Sequence, residues 1–254
     1  MDYKLCHKPS PDGDYKNFLS IENNISKYAS SGYGDYSMPE YTPISNQGSL
    51  GSCVGNSCCD ALEILMGIKD KNSVIQLSRL FLYYNARVYT KSTGKDDGCY
   101  ISHALDSLTT LGVCREQTWK YDENKVFAQP NLFAYAEAND NKTSDFYQIK
   151  SNRLDNIEQA IRSNHPVIFG TPVSNEFVNN YNGDLKVFNF PSTSIGRHAM
   201  IVVGVNYING KRLFKIRNSW GAGWGDNGHC LMTEDYMANS ETNDIWVPTL
   251  FNLF

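Results

Sequence analysis

A cysteine that follows a glutamine and a glycine-rich turn is the first group of residues that could do chemistry. In NQGSLGSC, Gln47 stands six residues before Cys53, and an apolar helical pattern starts directly after the cysteine. The free amides and the dipole of a helix N-terminus stabilise a thiolate, and the same amides can donate to an oxyanion. The turn would return the Gln47 amide as a second donor. This arrangement predicts that Cys53 is a nucleophile.

A nucleophilic thiol also needs a base, and His198 is the best candidate among the five histidines. It opens the buried strand pattern GRHAMIVVG. The other four stand in contexts that favour surface or structural roles: His7, His103, His165 and His229. We therefore predict that His198 takes the proton of the thiol and returns it later in the reaction.

The third segment is NSWGAGWGDNG, which begins with Asn218 twenty residues after His198. A neutral amide can orient an imidazole ring by a hydrogen bond without cancelling the positive charge that would pair with a thiolate. Trp220 is close enough in sequence to shield that bond from water. The segment predicts an orienting asparagine under an aromatic cover.

These three segments, in the order Gln, Cys, His, Asn, resemble the signatures of the papain-like cysteine peptidases. The resemblance covers residues 41–235, and residues 96–122 resemble the bacterial, archaeal and viral branch more than the animal cathepsins. It implies a Cys53 thiolate paired with a His198 imidazolium, an orienting Asn218 and a Gln47 oxyanion donor, with Trp220 as a lid. It also implies a thiol pKa below that of a free cysteine.

The resemblance further implies which residues bind substrate. The segment Asp97-Gly98-Cys99-Tyr100 stands where the family pairs its backbone with the substrate, so Gly98 and Cys99 are the expected contacts. Ile101, Gly170 and Ala199 match positions that line the main specificity pocket. We therefore expect a bulky apolar side chain two residues before the cleaved bond, at the position called P2.

Three departures from the family pattern carry expectations of their own. Leu50 replaces a disulfide cysteine of many relatives, and Val54 replaces a tryptophan. Because the seven cysteines have no obvious pairing, a reducing intracellular compartment is favoured. Arg197 directly precedes His198, and a cation there would disfavour imidazolium and narrow the active pH range from the alkaline side.

Periodicity predicts helices in the first half of the chain and strands in the second. We expect helices over residues 54–66, ended by Gly67, over 78–89, and over 102–111, ended by Gly112. A further helix is expected to begin with a capping box made by Asp155 and Glu158. Strands are expected over 167–169, 198–205, 213–218 and 229–233, with a turn at Asn209-Gly210.

This pattern predicts an α+β protein with a papain-like fold of two subdomains and a cleft between them. Residues 51–120 would form the mainly helical half, and residues 121–254 an antiparallel, β-barrel-like half, within a domain of residues 41–254. Residues 1–40 would form a leader. Two hypotheses stay open for the leader: a removable propeptide-like segment that covers the cleft, or a structural belt on the β half.

Composition excludes several other classes. The net charge of −4 provides no attraction for nucleic acid or an anionic membrane surface. No apolar run is long enough to span a membrane, and the N-terminus lacks the pattern of a secretory signal. Cysteine and histidine spacings predict no metal site, and we expect no organic cofactor and a monomer that acts on polypeptides.

The sequence therefore predicts a cysteine endopeptidase that works through an acyl-enzyme thioester. Two alternatives remain open. One is a Cys-His acyl transferase or amidase on the same scaffold, which passes the acyl group to an amine. The other is a catalytically silent peptide-binding homologue.

Overall fold

A computed structural model describes residues 3–11, 13, 15, 34–143, 145–181 and 183–249. Within these residues the helices are α1 (Cys53–Lys69), α2 (Arg79–Val88), α3 (Ile101–Thr110), α4 (Leu132–Asn139), α5 (Arg153–Arg162), α6 (Asn175–Val178) and α7 (Glu234–Ala238), with a 3-10 turn at Glu123–Lys125. The strands are β1 (Tyr36–Ser37), β2 (Phe146–Gln148), β3 (Val167–Val173), β4 (Val187–Phe188), β5 (Gly196–Ile208), β6 (Lys211–Arg217), β7 (His229–Thr233) and β8 (Asn243–Pro248).

The strands form one sheet in the order β2-β8-β3-β5-β6-β7-β4, and β1 adds to β5. All pairs are antiparallel except β4 with β7. The expected α+β papain-like architecture is confirmed, but a barrel-like closure is wrong, because the path of pairings ends at β2 and β4 without joining them. The sheet is open.

Helix α1 runs between the helical half and the sheet, in contact with α2, α3 and β5. Its first fifteen residues are all buried, which explains a pattern that is apolar on more than one face. The expected stop at Gly67 is wrong, since the helix continues to Lys69. A Cβ at Gly67 would lie 1.9 Å from the Tyr41 ring. Gly67 is therefore required by close packing and not by a left-handed turn.

The end of α3 and the start of α5 are determined by different local features. The stop after α3 at Gly112 is confirmed by its φ of +80°. The expected capping box is wrong, because α5 begins at Arg153, after Asn152 in a left-handed conformation, so that Asp155 and Glu158 lie inside the helix. Glu158 instead accepts hydrogen bonds from arginine side chains of α5 and β6.

The sequence patterns did not reveal strand β8, which carries a β-bulge. Ile168 pairs with Trp246 and Gly170 with Asn243, so β8 has one residue more than β3 between these two pairs. Asp244, in the extra stretch, has a φ of +58°, a conformation that Asp tolerates better than most residues. A bulge redirects side chains and is common beside functional sites. Here the bulge changes the direction of the Asp244 side chain and so helps to position its carboxylate.

The segment from Tyr36 to Asn46 forms a belt on the sheet. Its β1 strand pairs with β5, and Met38 is buried. Further along the belt, the fully buried Arg217 guanidinium binds the Glu40 carboxylate and the carbonyl groups of Thr42 and Pro43. Across the described residues, no helix is both long and apolar enough to cross a membrane.

Candidate active site

Cys53 is the first residue of α1, and its side chain is completely buried. The N-cap residue Ser52 makes no side-chain capping bond, so the first-turn amides of the helix are not capped by it. The thiol accepts hydrogen bonds from the backbone N–H groups of Ala199, Val54 and Cys6. The Ala199 contact brings the thiol beside the residue that follows His198. The sequence-predicted nucleophile and base therefore lie on adjoining elements.

His198 is also fully buried, and Asn218 holds its ring. The ring Nε2 lies 2.8 Å from Asn218 Oδ1, and the Trp220 ring stacks on the imidazole with centroids 4.5 Å apart. Since a carbonyl oxygen only accepts, Nε2 carries a proton and Nδ1 of the neutral ring is left as the acceptor. Among the described residues, Nδ1 has no hydrogen-bond partner, so Cys53 makes no direct bond to it.

Gln47 is held by the loop that contains Asn218. Its backbone N–H donates to the Ser219 carbonyl, and its side-chain Oε1 accepts from Ser219 Oγ at 2.8 Å. Its Nε2 donates to the Leu50 carbonyl at 2.8 Å and also faces the Lys4 carbonyl at 3.5 Å. One amide hydrogen thus positions the side chain, and the other is available to an oxygen in the cleft. The sequence pattern did not identify Ser219 as the residue that holds Gln47. Only its position directly after Asn218 could have indicated this role.

Residues 3–11 of the leader lie in the cleft over these groups. The Tyr3 ring stacks on Trp220 with centroids 4.4 Å apart, and its hydroxyl donates to the Trp220 carbonyl. Cys6 forms a parallel bridge with Arg197, and Lys8 forms one with Tyr100. The backbone of this stretch therefore bridges the sheet half and the helical half.

Burial under this segment determines the charge state of the pair. Burial raises the pKa of Cys53 to about 12, although backbone hydrogen bonds to the sulfur act in the opposite direction. Burial also lowers the pKa of His198 to about 4, against the effect of Asn218 and with a further lowering by His7. Both directions oppose the expected thiolate–imidazolium pair in this covered state, because water is excluded from the two groups. The ion pair stays an expectation for the open cleft.

Three of the expected substrate-binding residues, Gly98, Cys99 and Gly170, contact the leader. The Cys99 carbonyl accepts from Lys8 N–H at 3.3 Å, and a Cβ at Gly98 would lie 1.6 Å from the Cys6 carbonyl oxygen. Gly98, with a φ of +79°, therefore permits a close approach while Cys99 makes the backbone bond. Of the residues expected in the specificity pocket, Gly170 and Ala199 are paired across β3 and β5, and Ile101 begins α3.

Arg197 acts elsewhere than expected. Neighbouring residues of a strand point to opposite faces, and the Arg197 guanidinium donates to the Glu241 carbonyl and to Asn243 Oδ1. Its charge lowers the pKa of His7, together with the larger effect of burial. Nothing in these contacts directs the cation at the His198 ring.

His7 and Asp244 form a buried pair that the sequence patterns did not reveal. His7 Nε2 lies 3.0 Å from Asp244 Oδ2, and both side chains are almost inaccessible to water. A Cβ at Gly170 would lie 1.9 Å from His7 Cε1, so the imidazole occupies the space that a side chain at this position would fill. The only signals in the sequence are a histidine in the leader and an acidic residue near the C-terminus.

Comparison with known proteins gives a consistent result. The family model described as papain family cysteine protease matches residues 34–246. A peptidase C1-like protein of Acanthamoeba polyphaga mimivirus is 31% identical over 221 residues, which are 83% of this chain and 70% of that protein. Papain of Carica papaya is 27% identical over 205 residues, which cover 77% of this chain and 55% of papain. The chain thus spans only part of these curated relatives.

Comparison with solved structures points to the same family. The crystal structure of xylellain, a cysteine protease from Xylella fastidiosa, superposes with a TM-score of 0.83 at 26% identity and covers 97% of this chain and 96% of that chain. Digestive procathepsin L 3 of Tenebrio molitor shares the fold, with a TM-score of 0.70 at 20% identity over 92% of this chain and 79% of that chain. Viral and bacterial proteins stand among these relatives, as the resemblance implied. The chain belongs to the papain family of cysteine proteases.

Proposed function

We propose that this protein is an endopeptidase that hydrolyses polypeptides through a Cys53 acyl-enzyme, and that residues 3–11 hold it in a latent state. One observation carries the proposal. Asn218 engages Nε2 of His198 and leaves Nδ1 bare, beside the strand residue whose N–H contacts the buried Cys53 thiol. A ring oriented in this way can take a proton only at the nitrogen that the thiol needs.

The reaction follows from these groups once the leader leaves. Water entering the cleft removes the cost of charge, so the Cys53 proton moves to His198 Nδ1 and forms the ion pair. The thiolate attacks the substrate carbonyl, and the oxyanion accepts from the Cys53 N–H and the free hydrogen of Gln47 Nε2. His198 gives its proton to the leaving amine, and the thioester forms. Water, deprotonated by His198, then releases the acid and the thiol.

The leader is suited to block this reaction without being consumed. Its Lys4 carbonyl lies 3.5 Å from Gln47 Nε2, beyond the usual range of about 2.7–3.2 Å for an N–H···O bond. The Cys6 N–H, a donor, faces the Cys53 sulfur where a substrate would present its carbonyl carbon. A precursor form among the proteins of the same fold supports this part of the proposal.

All seven cysteines are free thiols. This supports an enzyme that works where thiols remain reduced, and the complete cleft within one chain supports action as a monomer.

The test combines cleavage with chemical labelling. A chain whose leader is loosened by Tyr3→Ala and His7→Ala is compared, with and without Cys53→Ala, on a denatured protein substrate and with a peptidyl epoxide that alkylates active thiols, and the labelled peptide is mapped by mass. Cys58→Ala, which removes another buried thiol of α1, is the matched control. We expect cleavage and labelling to disappear only with Cys53→Ala. Labelling that persists in Cys53→Ala would contradict the proposal.

The alternatives give different products. An acyl transferase would join the acyl fragment to an added amine such as glycinamide, whereas a peptidase yields mainly the free acid. A silent binding homologue would bind peptides without changing their mass. Mass spectrometry of the products with and without the amine separates the three.

A further inference from the structure

We propose that Asp244 sets the specificity of the peptidase, and that the pocket selects polypeptides with a basic, hydrogen-bond-donating side chain at P2: histidine, arginine or lysine. This inference rests on the proposed function and revises the expectation of an apolar P2 residue. It follows from two observations: the imidazole of His7 fills this pocket, and Asp244 loses hydrogen-bond donors when the leader leaves.

The occupant is the leader's own His7. Its Nε2 donates to Asp244 Oδ2 at 3.0 Å, its ring lies against Gly170, and its backbone N–H donates to the Arg197 carbonyl at 3.2 Å. The side chain is fully buried between the two halves. A leader residue that pairs its backbone with β5 thus has an imidazole, and not an aliphatic group, in this space.

Ser10 shows that Asp244 faces the cleft and is not buried within the sheet. Ser10 donates to Asp244 Oδ2 through both its N–H and its hydroxyl, and the same hydroxyl accepts from the Ser102 N–H of α3. Ser102 directly follows Ile101, one of the expected pocket residues. The Asp244 carboxylate is therefore linked through Ser10 to the start of α3, and through His7 to the space beside Gly170.

Release of the leader leaves this carboxylate short of donors. Asp244 Oδ2 loses the bonds from His7 and Ser10, and only Oδ1 keeps its bond, from Trp246 Nε1. A buried carboxylate oxygen without a donor is costly, so a ligand that supplies an N–H is favoured over one that does not. Among the described residues, Arg197 makes no hydrogen bond to Asp244, since its Nη2 donates to the Glu241 carbonyl and to Asn243 Oδ1; its charge acts on the carboxylate only from a distance.

The shape of the pocket agrees with a long or planar basic side chain. Gly170 contributes no side chain to the wall, and the imidazole fills the space that this leaves. A leucine at P2 would fill part of the same space but would bring its methyl groups against the unpaired oxygen. The apolar contacts expected from Ile101 and Ala199 would still receive the aliphatic stem of lysine or arginine.

The first test measures binding without cleavage. The chain carrying Cys53→Ala and His7→Ala, which cannot react and has an emptied pocket, is titrated calorimetrically with peptides that differ only at P2: arginine, lysine, histidine or leucine. We expect the basic peptides to bind at least about tenfold more tightly than the leucine peptide. Adding Asp244→Asn should reduce this difference to less than about threefold. Tighter binding of the leucine peptide, or a basic preference that survives Asp244→Asn, would overturn the inference.

Two controls isolate the pocket. Peptides with arginine moved to the neighbouring positions P1 or P3 should show no dependence on Asp244. Thermal unfolding of Asp244→Asn, which can still accept from Trp246, checks that the fold is kept. If that variant unfolds early, the leader provides the second readout: in the full chain, His7→Arg should remain latent and His7→Leu should become more active, whereas the reverse order would contradict the inference.

The two proposals can fail separately. If a chain with a released leader cleaves no substrate, but its preference for basic P2 residues depends on Asp244, the proposed peptidase activity is wrong and the pocket assignment holds. If cleavage proceeds with a leucine preference that ignores Asp244, the pocket assignment alone fails.

Discussion

Two parts of the N-terminal segment bind the same domain in different ways. Residues 36–46 join the sheet by strand pairing and enclose the buried Arg217 cluster. Residues 3–11 cross the cleft through ring stacking, isolated bridges and an ion pair of the half-exposed Lys4 with Asp96. The two hypotheses for the leader thus apply to different residues: the first stretch covers the cleft, and the second is a belt. Residues 3–11 make separate contacts that can be released one by one, as a removable cover requires. Residues 36–46 belong to a continuous buried network, which is typical of a permanent part of the fold.

The largest effect is expected from the belt. Arg217→Met would leave the buried carboxylate of Asp60 and the partly buried one of Glu40 without their shared cation. Removing one partner of a buried ion cluster costs about 3–5 kcal/mol. We expect the free energy of unfolding in urea to fall by that amount. A loss below about 1 kcal/mol, the size of a surface pair, would show that belt and cover are held equally loosely.

Acid should release the cover. Because burial lowers the pKa of His7 in the covered state, a released leader whose hydrated imidazole has its ordinary pKa of about 6.5 binds the proton first. Just below that pH, falling pH therefore favours release, by at most about tenfold per pH unit. The Cys53–His198 pair adds nothing to this shift, because in the open cleft the proton only moves from the thiol to the ring. The rate of peptide cleavage, assayed directly after incubation at mildly acidic or neutral pH, measures the shift. Equal rates after both incubations would mean that the leader does not bury an uncharged His7.

Loss of one ring contact should have a smaller effect. Tyr3→Ala removes the stacking on Trp220 and the hydroxyl bond to its carbonyl. Aromatic pairs contribute about 0.5–1.5 kcal/mol beyond their area, so activity of the full chain should rise roughly three- to tenfold while the urea midpoint changes little. Tyr41→Ala, in the belt, is the matched control and should not raise activity. A destabilised fold with unchanged latency in Tyr3→Ala would mean that this stretch is also structural.

The smallest effect is expected for Lys4→Ala. Its ion pair with Asp96 is half exposed on the lysine side and is worth less than about 1 kcal/mol. We expect up to a fivefold rise in activity that shrinks further in high salt, because salt screens the pair in the parent chain. A larger rise that does not depend on salt would contradict this and show that the Lys4 side chain holds the leader by more than its ion pair.

Local sequence predicted the elements that carry the chemistry better than the contacts between them. The positions of three residues could be predicted because each depends on its own segment: Cys53 before a helical pattern, His198 at the start of a strand and Asn218 at the end of another. The Gly67 stop failed because Tyr41, far along the chain, explains that glycine. Long-range contacts also determine the bulge at Asp244, the open sheet and the burial that reverses the expected pKa of Cys53, and no local pattern records them.

The most direct test is the pH dependence of Cys53 alkylation, followed by mass mapping, in the full chain and in the chain carrying Tyr3→Ala and His7→Ala. Alkylation of the full chain is expected to be slow at neutral pH and to rise only in strong alkali, because burial keeps the thiol protonated. The variant should react rapidly at neutral pH, with a rate that is flat from mildly acidic to neutral conditions. The same alkaline-only profile in both chains would contradict the claim that the leader masks a thiolate nucleophile.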